Sequence, residues 1–229
     1  MQYTDIVCPF CGCLCDDLEV TIKDGHIESV KNACTISQSK FMNHHENRIT
    51  VSTINGKETE LEKTVEKAVE ILASARRPLI YGLSSTECGA ISKAVEIAEY
   101  TGGVLDNTSS VCHGPTILAL QQVGESKTTL GEVKNRADLV IFWGSNPTEA
   151  HLRHIVRYSV IPKGMYIREG KKDRKIVVVD VRETRTAKMA DKFLKIDYNK
   201  DFELLLALRA LVRGEKLEAK DIAGLPIEE

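Results

Sequence analysis

The segment Cys8-Pro-Phe-Cys-Gly-Cys-Leu-Cys15 carries four cysteines in eight residues, and a fifth follows at Cys34. These are five of the seven cysteines in a chain of 229 residues. With Cys13 set aside, they fit the spacing C-x2-C-x3-C-x18-C. Each iron of a cubane cluster takes one thiolate, whereas a structural zinc site usually has two separated C-x2-C pairs. The spacing therefore favours a [4Fe-4S] cluster, with the ligands Cys8, Cys11, Cys15 and Cys34.

The overall composition limits the partners and the compartment of the protein. The sequence has 31 basic and 33 acidic residues and a formal net charge of -2, whereas nucleic acids and anionic membranes are bound by strongly basic faces. The start of the chain lacks the basic and apolar regions of a signal peptide, and no apolar run approaches the length of a membrane span. We therefore expect a cytoplasmic protein with reduced cysteines that binds neither nucleic acid nor a membrane.

Two short segments after the cysteine loop have the pattern of a β-hairpin. Leu18–Ile22 and His26–Val30 alternate apolar and polar residues on either side of Asp24-Gly25, a turn sequence typical of hairpins. Such a hairpin carries the chain away from the loop and back to Cys34, which lets the cysteines meet at one site. We therefore predict a small iron–sulfur module over residues 1–55.

From residue 56 onward, helical patterns alternate with short apolar runs. Nearly continuous apolar runs of this length are typical of parallel strands that helices cover on both faces. The predicted strands are Pro78–Gly82, Gly103–Asn107, Ala137–Trp143 and Lys175–Asp180. The sequence therefore predicts an α/β fold in which residues 56–229 form a Rossmann-like domain with a parallel sheet. Ligands are expected beyond the carboxyl ends of its strands.

The segment after the second strand, Ser109-Ser-Val-Cys-His-Gly-Pro115, places a thiol beside an imidazole. Cys112 and His113 precede a helix that is expected to begin near Pro115. This setting can activate a thiol, so Cys112 could be a nucleophile or a metal ligand, and a purely structural cysteine is the alternative. Cys88, on the helix after the first strand, is expected to be a buried small apolar residue.

Polar segments also follow the third and fourth strands. Gly144-Ser-Asn-Pro147 leads into a predicted helix, where free backbone amides could bind an anion or could simply be capped. Asp180 could accept hydrogen bonds from a ribose or a guanine, and Arg182 and Thr184 could hold a phosphate. An ordinary solvated loop is the alternative for this last segment.

Taken in order, these motifs resemble those of the molybdopterin oxidoreductases. The cysteine spacing is similar to the N-terminal cluster motif of that superfamily. Val111-Cys-His-Gly-Pro115 resembles the segment of formate dehydrogenases in which a cysteine or selenocysteine binds molybdenum or tungsten. Gly144–Pro147 and Asp180–Ala187 look like the stretches that hold the pterin guanine dinucleotide. Within the superfamily, Cys8–Asp17 is most similar to the tungsten- or molybdenum-bearing subunit of formylmethanofuran dehydrogenase, of which the chain looks like the N-terminal half.

The resemblance implies cofactors and roles for particular residues. It implies molybdopterin guanine dinucleotide, in the bis form, with tungsten or molybdenum bound through Cys112, and it implies that His113 assists proton transfer. A basic residue is implied between the cluster and the pterin, and Lys40 is the nearest candidate. The implied cofactor-binding residues are Lys40, Gly144, Ser145, Asn146, Pro147, Asp180, Arg182 and Thr184.

The resemblance also implies a reaction and a set of partners. Carbon dioxide would be reduced reversibly to formate with low-potential electrons, and a partner subunit would use the formate to formylate methanofuran. The implied partners are an amidohydrolase-like subunit, a pterin-binding subunit and ferredoxin-like subunits.

Three alternatives stay open at the level of sequence. The chain could be part of the catalytic subunit of a formate dehydrogenase, which partner subunits would distinguish. It could be a non-catalytic iron–sulfur module for electron transfer or assembly, which metal and pterin content would distinguish. It could also be a zinc-stabilised nucleotide-binding domain, which would be colourless where an iron–sulfur protein is brown. The role of Cys13 is open in all of them.

Overall fold

The computed structural model describes residues 1–84 and 86–227, and these have a mixed α/β fold. The chain divides into two compact units. The first unit comprises Met1–His45 and the described residues from Thr128 onward, and the second comprises Glu46–Lys127. The first unit is therefore built from two separate parts of the chain.

The strands are, in chain order, β1 (Gln2–Ile6), β2 (Leu18–Lys23), β3 (His26–Lys31), β4 (Ser52–Ile54), β5 (Lys57–Thr59), β6 (Leu79–Tyr81), β7 (Val104–Asp106), β8 (Leu139–Trp143), β9 (Lys175–Asp180), β10 (Lys192–Lys195), β11 (Asp221–Ile222) and β12 (Leu225–Pro226). The α-helices are α1 (Thr35–Met42), α2 (Leu61–Ser74), α3 (Cys88–Thr101), α4 (Gly114–Val123), α5 (Leu130–Arg136), α6 (Pro147–Ala150) and α7 (Asp201–Val212). Short 3₁₀ turns lie at Thr108–Ser110, Gly170–Asp173 and Ala187–Met189, and a π-helical turn lies at Ile155–Ser159.

An antiparallel sheet in the order β1-β2-β3 forms the N-terminal part of the first unit. The predicted hairpin is confirmed as β2 and β3. Its turn has positive φ at both Asp24 (51°) and Gly25 (79°), as a tight two-residue hairpin turn requires. Strand β1 was not anticipated from the sequence pattern. The buried side chains Leu18, Val20 and Val30 pack with the cysteine loop, so this small sheet carries the loop on its core side.

A parallel sheet in the order β10-β9-β8 lies in the C-terminal part of the first unit. Two apolar clusters cover it. One contains Phe142, Ile176 and Val178, and the other places Val179 against Leu204 of α7. The carboxyl ends of β8 and β9 are neighbours in this sheet, so the segments that follow Trp143 and Asp180 begin side by side.

The second unit contains a β4-β5 hairpin and a parallel pair, β6 and β7. All four predicted strands are therefore present, and the prediction of an α/β fold with parallel strands is confirmed. They are not joined in one sheet, however, because β6 and β7 pair only with each other whereas β8 and β9 pair with β10 among the described residues. None of the helices in the described ranges is long and apolar enough to cross a membrane.

Candidate functional site

The five N-terminal cysteines line a single small cavity in the first unit. The loop is closed by a 2.8 Å hydrogen bond from the backbone N–H of Cys8 to the carbonyl of Cys15. Leu14 takes a left-handed conformation (φ 42°), which helps the chain to turn tightly between Cys13 and Cys15. The thiols of Cys8, Cys13 and Cys15 are buried, those of Cys11 and Cys34 are half-buried, and none is in a disulfide. The hairpin thus places Cys34 at the same cavity as the loop.

Ser37 supports two of these sulfur atoms. Its side chain is buried, and its hydroxyl lies 3.2 Å from Sγ of Cys8. Its backbone N–H donates to Sγ of Cys34, which caps α1 in this way. Burial, together with the nearby thiols of Cys11 and Cys15, raises the pKa of the Cys13 thiol to about 12. Cys13 therefore holds its proton in the metal-free chain.

The sulfur donors are arranged around a cavity and do not converge on a point. Among the residues described, no three His, Cys, Asp or Glu side chains are grouped so as to hold one metal ion. Five sulfurs around one enclosed space, with apolar walls from Leu18 and Ala33, are compatible with a multi-iron cluster, in which each thiolate binds a different iron. The chemistry of the donor set thus fits the cluster that the spacing predicts.

Two arginines bind the acidic pair that follows Cys15. Arg153 donates to both carboxylate oxygens of Asp17 at 2.6 Å, and Arg157 donates to Asp17 at 2.8 Å and to Asp16 at 2.7 Å. The hydrogen bonds from Arg153 hold the pKa of Asp17 below its usual value. Burial alone would lower the pKa of Arg157, but its bonds to Asp16 and Cys15 raise it. These groups therefore stay charged across the neutral range.

Sequence reasoning missed these arginines and the role of the acidic pair. The only local signal was the i, i+4 spacing of Arg153 and Arg157, which places both on one helical face. Their partners lie 136 to 141 residues away in the sequence, and a single sequence carries no local signal for contacts at that separation.

The loops after β8 and β9 meet at the edge of the parallel sheet. Oδ1 of Asn146 accepts hydrogen bonds from the hydroxyls of Thr148 (2.8 Å) and Thr186 (2.6 Å). Nδ2 of Asn146 is buried and has no hydrogen-bond partner among the described residues. A buried amide without a partner is uncommon and indicates a missing acceptor. Gly144 has φ 55°, a left-handed conformation that suits glycine.

The structure places the remaining residues of these loops in different surroundings. Asp180 accepts a hydrogen bond from the backbone N–H of Arg182, and the side chain of Arg182 is exposed. Thr184 is buried, and its hydroxyl accepts a hydrogen bond from the backbone N–H of Ala187. The helix after Pro147 is only four residues long, so its dipole adds little for an anion. Ser145 and Pro147 line a cavity to which Gly12 of the cysteine loop contributes.

Cys112 and His113 lie in the second unit, between the 3₁₀ turn Thr108–Ser110 and α4. As expected, Pro115 lies in the first turn of that helix. Cys112 is exposed, and the hydroxyl of Ser109 lies 3.4 and 3.5 Å from the two ring nitrogens of His113. Lys40 is exposed in the last turn of α1, in the first unit.

The prediction that Cys88 is buried is wrong. Cys88 is the first residue of α3 and is exposed. The tendency of free cysteine to be buried is a general one and does not decide the exposure of a single position.

Comparisons with known proteins agree with the sequence resemblance. The chain is 47% identical to a subunit of the tungsten-containing formylmethanofuran dehydrogenase 2 of Methanococcus maripaludis, over 99% of this chain and 54% of that protein. It is also 47% identical to the protein of the same description from Methanocaldococcus jannaschii, over 98% of this chain and 53% of that protein. The chain thus spans about half the length of these curated relatives. No model of a protein family matches the sequence.

A solved structure supports the same relationship. The fold is similar to a chain of the formyltransferase/hydrolase complex from Methylorubrum extorquens, solved in complex with methylofuran, with a TM-score of 0.58 and 25% sequence identity. The similarity covers 72% of this chain and 45% of that one.

Proposed function

This chain is a relative, over almost its full length, of a subunit of tungsten-containing formylmethanofuran dehydrogenase, and from that relationship we propose that it is the metal- and pterin-bearing part of such an enzyme. It would act within a complex that reduces carbon dioxide reversibly to formate for the formylation of methanofuran. Because the chain spans about half the length of these relatives, the activity is proposed for the assembled complex and not for the isolated chain.

The single observation that carries this proposal is the gathering of Cys8, Cys11, Cys13, Cys15 and Cys34 around one cavity. Sulfur donors from two segments, supported by a buried serine, suit an iron–sulfur cluster through which electrons could enter. The four-ligand spacing assigns Cys8, Cys11, Cys15 and Cys34 as ligands. Cys13 would be a neighbour of the cluster.

The proposed cofactors supply the redox chemistry. When bound, a [4Fe-4S] cluster would supply one-electron transfer, and tungsten or molybdenum with bis-molybdopterin guanine dinucleotide would supply the two-electron chemistry at carbon. The exposed thiol of Cys112 is available to bind the metal as a soft ligand. His113 would accept and release a proton beside it, and Ser109 would orient the ring.

The proposed binding site of the dinucleotide is the polar edge of the parallel sheet, at the carboxyl ends of β8 and β9. The amide nitrogen of Asn146, which has no partner in the part of the chain that the structure describes, would offer a buried donor to a ligand acceptor, and the amide oxygen is already bound by Thr186. Asp180 and the exposed Arg182 would contact the nucleoside and phosphate groups. The further residues proposed for cofactor binding are Lys40, Gly144, Ser145, Pro147 and Thr184.

The proposed partners are an amidohydrolase-like subunit, a pterin-binding subunit and ferredoxin-like subunits, and the proposed compartment is the cytoplasm. The test is to purify the tagged chain with its native partners under anaerobic conditions, and to measure iron, tungsten, molybdenum, zinc and pterin. We expect tungsten or molybdenum and pterin, and about four iron atoms per chain in addition to those of the ferredoxin-like partners.

Two variants and one control separate the proposed roles within that complex. Cys112→Ala should abolish formate turnover while the electron paramagnetic resonance signal of the cluster survives. Cys34→Ala should remove that signal. Cys88→Ala, which changes another exposed cysteine, should alter neither. Turnover that persists in Cys112→Ala would remove Cys112 from the active site. Zinc in place of the iron that this chain should add would overturn the cluster.

A further inference from the structure

We propose that Arg153 and Arg157 are positioning residues that clamp the two cysteine-bearing segments together, with Asp17 and Asn32 as the anchors. The inference rests on the proposed function in one respect, namely that the cysteines bind an iron–sulfur cluster. The clamp itself consists only of protein groups and would form before any metal arrives.

Arg153 binds both cysteine-bearing segments at once. Its guanidinium donates to the two carboxylate oxygens of Asp17 at 2.6 Å and to the backbone carbonyl of Asn32 at 2.5 Å. Asp17 lies two residues after Cys15, and Asn32 lies two residues before Cys34. The side chain of Arg153 thus joins the end of the cysteine loop to the residues just before Cys34.

The clamp lies at the open end of the hairpin. The last residue pair between β2 and β3 on this side is Glu19 with Lys31, so Asp17 and Asn32 lie just beyond the sheet. Nδ2 of Asn32 also donates to the carbonyl of Asp17 at 2.8 Å. Where the strand hydrogen bonds end, these polar contacts keep the two segments from separating. They therefore fix the spacing between the early cysteines and Cys34.

Arg157 and Tyr158 hold the loop from the same helical turn. The backbone N–H of Arg157 donates to the carbonyl of Arg153, so the two guanidinium groups project from one face. Arg157 donates to Asp17 at 2.8 Å and to Asp16 at 2.7 Å. The hydroxyl of Tyr158 donates to the carbonyl of Cys13 at 3.0 Å. The segment that contains the π-helical turn therefore contacts the loop at Cys13 and at the acidic pair that follows Cys15.

The surroundings make these contacts stronger than ordinary surface ion pairs. The side chains of Arg153 and Arg157 are 19% and 22% exposed, and that of Asp17 is 37% exposed. Bidentate arginine–carboxylate bonds fix direction as well as distance, which lysine cannot do. A cluster site whose ligands are already held in place loses less conformational entropy when iron binds.

The first test uses the 229-residue chain without iron, so that it does not depend on the proposed function. Hydrogen exchange is measured by mass spectrometry over residues 8–17 and 32–37 in wild type, Arg153→Ala, Arg153→Lys, Asp17→Asn and the control Lys93→Ala. Lys93 forms an exposed ion pair with Glu96 on α3, in the second unit. The fluorescence of the single tryptophan, Trp143, reports whether the first unit stays folded.

We expect Arg153→Ala to speed exchange in both segments about tenfold or more, as the loss of hydrogen bonds to a charged group implies. Arg153→Lys should restore part of the protection, Asp17→Asn should be intermediate, and Lys93→Ala should match wild type. If Arg153→Ala unfolds the first unit while Asp17→Asn keeps the tryptophan signal of the folded chain, hydrogen exchange in Asp17→Asn tests the clamp. Wild-type exchange in the variants that stay folded would overturn the clamp.

The second test follows anaerobic reconstitution with iron and sulfide. If the wild-type chain binds no cluster, the proposed function is contradicted. The hydrogen-exchange test of the clamp is not affected by that outcome. Where wild type binds the cluster, Arg153→Ala should hold less iron than Arg153→Lys. Arg157→Gln should also hold less iron than wild type. Iron contents equal to wild type in both Arg153→Ala and Arg157→Gln would contradict the clamp.

Discussion

The hydroxyl of Thr186 donates a 2.6 Å hydrogen bond to Oδ1 of Asn146, 40 residues earlier in the chain. The same hydroxyl accepts from the backbone N–H of Thr148 at 3.3 Å. Because these residues follow two neighbouring parallel strands, the bonds lock the two loops together at the carboxyl edge of the sheet. Nδ2 of Asn146 has no hydrogen-bond partner in the described ranges of the chain.

Replacing Thr186 with valine should destabilise this edge. The side chain is 1% exposed, so valine preserves its shape but leaves Oδ1 of Asn146 and the N–H of Thr148 with fewer partners. A cost of about 1–3 kcal/mol in the free energy of unfolding is expected. Denaturant unfolding followed by Trp143 fluorescence measures it. The control Thr4→Val, at an exposed position of β1, should change this free energy by less than about 0.5 kcal/mol.

The cysteines should react with an alkylating reagent at very different rates in the metal-free chain. Cys88 and Cys112 are exposed and should be labelled first, whereas Cys8 and Cys15 are buried. Cys13 should be slowest because it is buried and its raised pKa, about 12, leaves little of the reactive thiolate. Peptide mass spectrometry after timed labelling gives the order, and all seven should react alike in denaturant. Early labelling of Cys13 would contradict the buried position.

Local patterns predicted much of the secondary structure. The hairpin followed from Asp24-Gly25, where both residues adopt the positive φ that this turn needs. The apolar runs at β6 and β9 gave their strands almost to the residue. Strand β10, Lys-Phe-Leu-Lys, was missed because it is short and has a charged residue at each end. Its pairing with β9 depends on tertiary contacts and not on its own pattern.

The candidate site was predictable only where its residues are close in sequence or share a chemical type. The cysteine spacing drew attention to the residues that line the cavity. The bond between Arg153 and Asp17 was not predictable, because it joins residues 136 positions apart and each has the usual character of a surface charge. The division of the parallel strands between two sheets was not predictable either. An apolar run indicates a strand but does not specify its partner strand.

Two glycines near α5 should respond to alanine with opposite signs. A Cβ at Gly164 would collide with the backbone of Lys134 and Asn135, so Gly164→Ala should lower the free energy of unfolding by about 1–3 kcal/mol. A Cβ at Gly131, inside α5, has its nearest neighbour at 3.6 Å. Gly131→Ala should therefore be neutral or stabilising by up to about 1 kcal/mol. Equal effects of the two substitutions in denaturant unfolding would contradict this packing.

His154 should make the stability of the first unit depend on pH below neutrality. Burial, with a smaller contribution from nearby His151, lowers the pKa of His154 below its usual 6.5. Its Nδ1 lies 2.9 Å from the hydroxyl of Ser159, which is fully buried, and its ring packs edge-on to Phe142. Well above pH 6.5 the imidazole is neutral in both the folded and the unfolded chain, so it contributes no pH dependence there.

As the pH falls below 6.5, the unfolded chain binds a proton at His154 before the folded chain does. The free energy of unfolding should therefore decrease, with a slope of at most about 1.4 kcal/mol per pH unit, until the folded pKa is passed. Denaturant unfolding followed by Trp143 between about pH 7.5 and about pH 5.5, roughly one unit either side of the usual histidine pKa, measures the slope. His154→Gln should flatten it, whereas His26→Gln, at an exposed position of β3, should leave it unchanged. A slope that persists in His154→Gln would show that another group is responsible.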